Sequence, residues 1–336
     1  MLDLLSANYA PYVTWREVPH SQVDFTIDSE CRRVVTGASE DPGAYEVFMF
    51  GGSTMIGWGV PDSLTIPSIM QKRLSSSMSV PVRVVNFGQQ AYVSTQELIE
   101  LMLQLQDGRR PDLVVFYDGI NDTFAALQSG IPGVHQNLDD IARRYAGIVE
   151  TVSFWESLSS RSNLLSLARE TLLHGAESDT IPAWSGGDAG ADIDWLSDEI
   201  VSVYSANCGI VRALGDDYGF ASAFFWQPYL GSGEGTRILS STERNVAEEM
   251  ETGDLSSLLE STYSKASALE DSIPGFTDIS GCLDGSPDEL FEFGDFCHIN
   301  AEGNRIVVEA MIASLVSDGT IPDSLFREPA GEPATH

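Results

Sequence analysis

Three short, nearly uninterrupted apolar runs constrain this chain more than anything else in it. They are Tyr45-Glu46-Val47-Phe48-Met49-Phe50-Gly51, Val82 to Phe87, and Leu113 to Tyr117. Each has the length of a strand, and the intervals between them are long enough for a helix. A strand that is apolar on both faces must be covered on both faces, which requires a parallel sheet with helices on either side. The first interval carries Ile66, Ile69, Met70 and Leu74 on one helical face between Asp62 and Ser77. The second opens with Ser94-Thr95-Gln96-Glu97, the pattern of a serine cap reciprocated by a glutamate. Later in the chain, Ala221 to Trp226 and Phe276 to Ile279 read as two further strands, and Glu302 to Val316 as a closing helix capped by Asn300. The expected fold class is α/β, a three-layer α/β/α sandwich on a parallel sheet of about five strands.

The remaining segments divide around that rhythm. Residues 1–43, with Pro11, Pro19 and Pro42, read as an N-terminal arm or edge hairpin packed on the core. The main domain is expected over 44–322, with 124–194 as a helical insertion or cap. Within it, Leu138 to Leu158 and Asn163 to Leu173 have helical patterning, and a Gly/Asp/Ser-rich linker covers 175–190. A helix from Trp195 to Leu214 leads into the fourth strand, and 323–336 read as a frayed tail.

Charge excludes some partners. The formal net charge is -32, and Lys72 and Lys265 are the only lysines. Such a surface cannot neutralise phosphates, which argues against nucleic acid and, on the same ground, against an anionic membrane surface. The charge reads as a heavily solvated exterior. Asp188, Asp192 and Asp194 do not have the spacing of a calcium loop. No run reaches the ~18 apolar residues of a membrane span. Met1-Leu2-Asp3-Leu4-Leu5 lacks the basic and apolar regions of a signal peptide, so either the chain is cytoplasmic or a leader has been removed. Cys31, Cys208, Cys282 and Cys297 include no Cys-x-x-Cys pair. Cys282 and Cys297 flank one loop and read equally as a disulfide or as two buried thiols.

In an open parallel sheet, ligands bind beyond the carboxyl ends of the strands. Strand one ends at Ser53, strand two at Gly88, and strand three runs into Gly119-Ile120-Asn121-Asp122. A serine nucleophile needs a base. Of the five histidines, His20 lies in the arm, His135 and His174 in the insertion, and His336 at the terminus. His298 sits just ahead of the closing helix, and Asp295, three residues earlier, is placed to orient its ring. Candidate donors to an oxyanion are the backbone N–H groups of Ser53 and Gly88 and the side-chain amide of Asn121. Trp58, Trp226 and Tyr229 read as core or rim packing, with an acyl or sugar pocket as the alternative.

Four segments in this order resemble the SGNH hydrolases, the GDSL-type esterases and lipases: Gly51-Gly52-Ser53-Thr54, Asn86-Phe87-Gly88, Gly119-Ile120-Asn121-Asp122 and Asp295-Phe296-Cys297-His298. Gly52 and Thr54 depart from the Asp and Leu frequent in that family, and the likeness is to bacterial members carrying Gly-Gly-Ser-Thr. The resemblance implies a flavodoxin-like sheet and hydrolysis of carboxylic esters, short acyl or acetyl, on a small molecule or a carbohydrate. It makes Ser53, His298 and Asp295 a catalytic triad, with Ser53, Gly88 and Asn121 around the oxyanion and no metal or organic cofactor. It also implies an extracytoplasmic or membrane-tethered protein whose leader is missing here. Acyl transfer to a surface polysaccharide and a non-catalytic binding role are the alternatives it leaves.

Overall fold

A computed structural model describes residues 7–144, 146, 192–250, 253–286, 289–291 and 294–327. The expected insertion helices and linker fall largely outside these residues; 138–144 are helical.

Five strands form the central sheet. β5 (Tyr45–Gly51) lies between β6 (Val82–Asn86) and β7 (Leu113–Asp118), and β8 (Ala221–Trp226) and β9 (Phe276–Asp278) follow outward from β7. Every pairing in this sheet is parallel. In chain order the arrangement is 2-1-3-4-5, which reverses direction at β5 and opens a crevice at the carboxyl end of that strand.

Strand alternation sorts the core into two halves. Val47, Met49, Val84, Val115 and Phe225 face α2 (Ile66–Ser77) and α8 (Ala301–Ser317). Phe48, Phe50, Val114, Phe116 and Phe224 face α3 (Ser94–Gln106), α5 (Ile193–Tyr218) and α7 (Asp254–Ala266). On that second face Phe87, Phe50 and Phe116 stack in series, with ring centroids 4.9 Å apart at each step. Two short elements complete the set: α1 (Ser53–Ile56) directly follows β5, and α4 (Ile120–Ser129) directly follows β7. Residues 124–129, counted with the expected insertion, belong to α4, where Ala125 and Ala126 are core positions.

Two antiparallel hairpins form the arm: β1 (Ala7–Ala10) with β2 (Thr14–Glu17), and β3 (His20–Gln22) with β4 (Phe25–Ile27). Neither joins the main sheet. The arm is anchored by polar contacts to the loop between β6 and α3 and to the first turn of α3. The Trp15 indole donates to the Gln90 carbonyl at 2.8 Å, the Gln96 amide to the Val13 carbonyl at 2.7 Å, and the Tyr92 hydroxyl to the Trp15 carbonyl.

Local expectations fail at three points. Ser94 is the first helical residue of α3, not its cap; the Val93 N–H is met by the Gln96 side chain, and the Ser94 hydroxyl donates to Asp122 at 2.6 Å. α6 (Ser241–Met250) and α7 form helices where no element was expected. The start of the presumed tail is fastened, since Phe326 bridges to Met78 and the Arg327 N–H donates to the Ser77 carbonyl.

Candidate active site

Ser53 stands on a tight strand-to-helix turn. A Cβ on Gly51 would lie 2.7 Å from Met55 Cβ, and one on Gly52 would lie 2.0 Å from Asn121 Nδ2. The turn thus demands glycine twice, and the departure at Gly52 has a cause: the Asn121 amide fills the space a side chain would need. Thr54 is also accounted for, because its buried hydroxyl donates to Gln227 Oε1 at 3.2 Å and ties α1 to the end of β8.

The loop before α8 brings the base to that turn. His298 Nε2 is 2.8 Å from Ser53 Oγ, and His298 Nδ1 is 2.7 Å from Asp295 Oδ2. A carboxylate cannot donate, so the proton lies on Nδ1 and Nε2 is free to accept from the serine hydroxyl. Asp295 Oδ1 accepts the backbone N–H groups of Cys297 at 2.9 Å and His298 at 2.8 Å. Burial alone would raise the Asp295 carboxyl, but the hydrogen bonds from the His298 ring and from the two N–H groups outweigh it and hold the carboxyl below its ordinary value. The sequence-predicted Ser53, His298 and Asp295 are therefore brought together as one hydrogen-bonded chain.

Asn121, at the start of α4, faces the same cleft. Its Nδ2 donates to the Tyr92 carbonyl at 2.8 Å, which leaves its second N–H available, and its Oδ1 accepts from Gln136 at 3.1 Å. Gly88 is not there. Its N–H is consumed by Asn86 Oδ1 at 2.8 Å, and a Cβ on it would lie 2.4 Å from the Ile56 nitrogen. It is a packing glycine that lets β6 approach α1. Ala91, three residues on, lines the cleft beside Ser53 and holds a left-handed backbone, φ +60°. Glycine was the natural choice for close backbone approach, and an alanine in that conformation gives no sequence signal.

The cleft encloses about 460 Å³. Trp58, Ile120, Phe124 and Phe296 form its apolar side; Gln90, Gln128, Gln136 and Asn137 supply neutral amides. No cationic side chain lines it among the described residues. Of the three aromatics considered, Trp58 lies against the His298 ring, centroids 4.8 Å apart, while Trp226 and Tyr229 pack in the core.

Arg33, in the arm, was not anticipated at all. Its side chain is fully buried and bonds Asp62 Oδ1 at 2.6 Å, the Gly57 carbonyl at 2.9 Å, the Val60 carbonyl at 2.8 Å and the Asp24 carbonyl at 3.1 Å. Its guanidinium lies over Phe25, 3.7 Å from the ring centroid. The loop it grips is the one that presents Trp58.

Beneath the rim lies a buried acidic cluster. Glu97 is wholly inaccessible, and Asp118 and Asp122 are each 4% exposed. Asp122 accepts from the Ser94 hydroxyl and N–H, whereas Glu97 is met by a second carboxyl, Asp118, which can bond it only when one of the two holds a proton. Burial pushes Asp122 up to about 6. Burial first, then the charge of the neighbouring carboxylate, raises Glu97 and Asp118 well above the usual range.

Cys282 and Cys297 are free thiols, as are Cys31 and Cys208. No helix among the described residues is long and apolar enough to cross a membrane.

No family model matches the chain, and no curated protein matches it. Several solved structures are similar in chain path. A member of the lipolytic protein G-D-S-L family from Veillonella parvula is 11% identical with a TM-score of 0.41, over 81% of this chain and 96% of that one. TesA is 14% identical with a TM-score of 0.41, over 81% and 99%. Axe2, an acetylxylan esterase from Geobacillus stearothermophilus, is 11% identical with a TM-score of 0.38, over 84% and 95%. At this distance, the reading of the site rests on its own geometry.

Proposed function

We propose that this protein is a serine hydrolase of carboxylic esters of the SGNH type. The observation that carries the reading is the unbroken hydrogen-bonded chain Asp295–His298–Ser53 at the wall of an open cleft. Ser53 Oγ attacks the ester carbonyl as Nε2 of His298 takes its proton. Asp295 holds the ring's tautomer and stabilises the imidazolium. The oxyanion is met by the N–H of Ser53, which opens α1 and has no intrahelical partner, by the spare N–H of Asn121, and by the backbone N–H of Ala91, which takes the part first expected of Gly88. His298 then protonates the leaving alkoxide, and water activated by the same imidazole releases the acid from Ser53.

The cleft supports a substrate class. Its volume suits a small ligand, its apolar side suits a short acyl group, and its amides suit the hydroxyls of a neutral alcohol such as a sugar. A phosphorylated or carboxylated alcohol would meet no cation there among the described residues. The test is a chain-length series of aryl esters run beside acetylated oligosaccharides, with Ser53→Ala as control. Turnover should favour acetyl and short acyl groups, and Ser53→Ala should lower kcat by about 10⁴-fold or more while the fold persists. Undiminished turnover in Ser53→Ala would refute the proposal.

A further inference from the structure

The triad histidine has a neighbour that ester hydrolysis does not use. Cys297 Sγ lies 3.5 Å from His298 Nδ1, on the same turn, and Asp295, Cys297 and His298 each present one donor atom within 4.8 Å of the others. All three line the cleft, where Asp295 is 31% exposed at its side chain; burial, then the charge of Asp295, raises the Cys297 thiol, so the ion must displace a firmly held proton to bind there.

We propose that Asp295, Cys297 and His298 form a capture site for a thiophilic divalent ion, Zn²⁺ or Cd²⁺, whose binding switches the enzyme off. The donor set of thiolate, imidazole and carboxylate is the one such ions prefer. The geometry is close to what a tetrahedral ion needs. Ligands at ~2.05 Å (N) and ~2.3 Å (S) from a tetrahedral zinc stand ~3.5 Å apart, and Sγ and Nδ1 stand 3.5 Å apart here. An imidazole nitrogen and a carboxylate oxygen on zinc stand ~3.4 Å apart, so the 2.7 Å pair of Nδ1 and Oδ2 has to open by about 0.7 Å, and no pair of the three donors stands more than 4.8 Å apart before the ion draws them in. Water or the substrate-side cleft supplies the fourth position.

Inhibition follows from where the protons go. The ion replaces the thiol hydrogen on Sγ, and one proton leaves to solvent. It also takes the Nδ1 lone pair, so the ring proton held between Nδ1 and Asp295 moves to Nε2. Nε2 then carries a hydrogen and cannot accept from Ser53. The metal-bound form thus keeps every residue of the triad and loses its base. No redox change and no second reactant is involved.

The inhibitory half rests on the proposed ester hydrolysis; the binding half does not. Cd²⁺ alone, titrated into the wild-type protein, should produce a thiolate-to-metal charge-transfer absorption that saturates near one ion per chain. The band should be absent in Cys297→Ser and retained in Cys282→Ser. In parallel, Zn²⁺ should inhibit p-nitrophenyl acetate turnover reversibly with EDTA, and Cys297→Ser should raise the half-inhibiting Zn²⁺ concentration at least ~10-fold. As a check that needs no variant, Cd²⁺ should protect Cys297 of the wild type from iodoacetamide, mapped by mass spectrometry. A band that persists in Cys297→Ser, or alkylation of Cys297 that Cd²⁺ does not slow, overturns the site. Equal Zn²⁺ sensitivity in the two proteins overturns the switch. A Cys297-dependent band in a protein with no ester turnover would retain the site and reject the hydrolase reading instead.

Discussion

Replacing Glu97 by glutamine should stabilise the protein, and more so as the pH rises. Glu97 is fully buried beside the Asp118 carboxyl, and burial, then the charge of Asp118 and the hydrogen bond between the two, raises its carboxyl well above the ordinary range. In the unfolded chain a glutamate loses its proton near pH ~4.3. Above that pH the folded protein retains a proton that the unfolded chain has released, until the folded group itself ionises. Stability contributed in this way is complete below pH ~4.3 and is lost by ~1.4 kcal/mol per pH unit above it. Glutamine has nearly the same shape and no proton to lose. The stability difference between Glu97→Gln and wild type should therefore grow with pH, by at most about 3 kcal/mol between pH 5 and pH 7.5, the limit for one proton held across that interval. Asp295 and Glu243, whose carboxyls are held below their ordinary values, push the other way as the pH falls, but they are common to both proteins and cancel. Urea unfolding at the two pH values, followed by tryptophan fluorescence and far-ultraviolet dichroism, gives the difference directly. A difference that is constant with pH, or that shrinks as the pH rises, would refute the claim that Glu97 is protonated in the fold.

Two further substitutions test the construction of the site. Arg33→Met removes the guanidinium from Asp62 and from the loop that carries Trp58; it should cost about 3 kcal/mol in urea unfolding and lower kcat/KM about tenfold, whereas wild-type kinetics at wild-type stability would remove Arg33 from any role in the site. Gly52→Ala puts a methyl group where the Asn121 amide lies, and should lower kcat ~10²-fold with little change in KM, as loss of one oxyanion donor does; an unaltered kcat would show that the amide is not needed there.

The parts of this fold legible in the sequence were those enforced by burial on two faces. Val114 and Phe116 point one way and Val115 and Tyr117 the other, all into hydrophobic core, so the run admits little but a central parallel strand. Ser53 and His298 were legible because each stands at a junction of elements. What escaped reading was set by tertiary contact. Ser94 has the form of a helix cap, yet its hydroxyl is claimed by Asp122, 28 residues away. Gly88 has the form of a close-approach glycine, and it is one, but toward α1 rather than the cleft. Ala91 is left-handed between Gln90 and Tyr92, both of which are hydrogen-bonded to Trp15 of the arm, a contact no local pattern announces. Arg33 belongs to no local pattern, and its partners are assembled only once the loop at 57–62 has folded. α6 is strongly polar, so its sequence offers a weak apolar stripe and only Glu243 within it is deeply buried, where it meets Arg237 and the N–H groups of Leu290 and Phe291.

The distance along the chain between Ser53 and His298 has a consequence for how the protein comes to life. The two side chains that share a hydrogen bond are 245 residues apart. The glycine turn, the first three core strands and the arm contacts that brace them all lie within the first 118 residues, and can be in place early in synthesis. His298 and Asp295 emerge only with the loop ahead of α8, more than 240 residues after Ser53. On the proposed function, the nascent chain therefore carries the Ser53 turn before any base can reach it, and chemistry waits for the 295–298 loop to dock. Any product of interrupted translation or of clipping before residue 295 lacks both partners of Ser53, and on the proposed function is inert whatever fraction of the sheet it has folded.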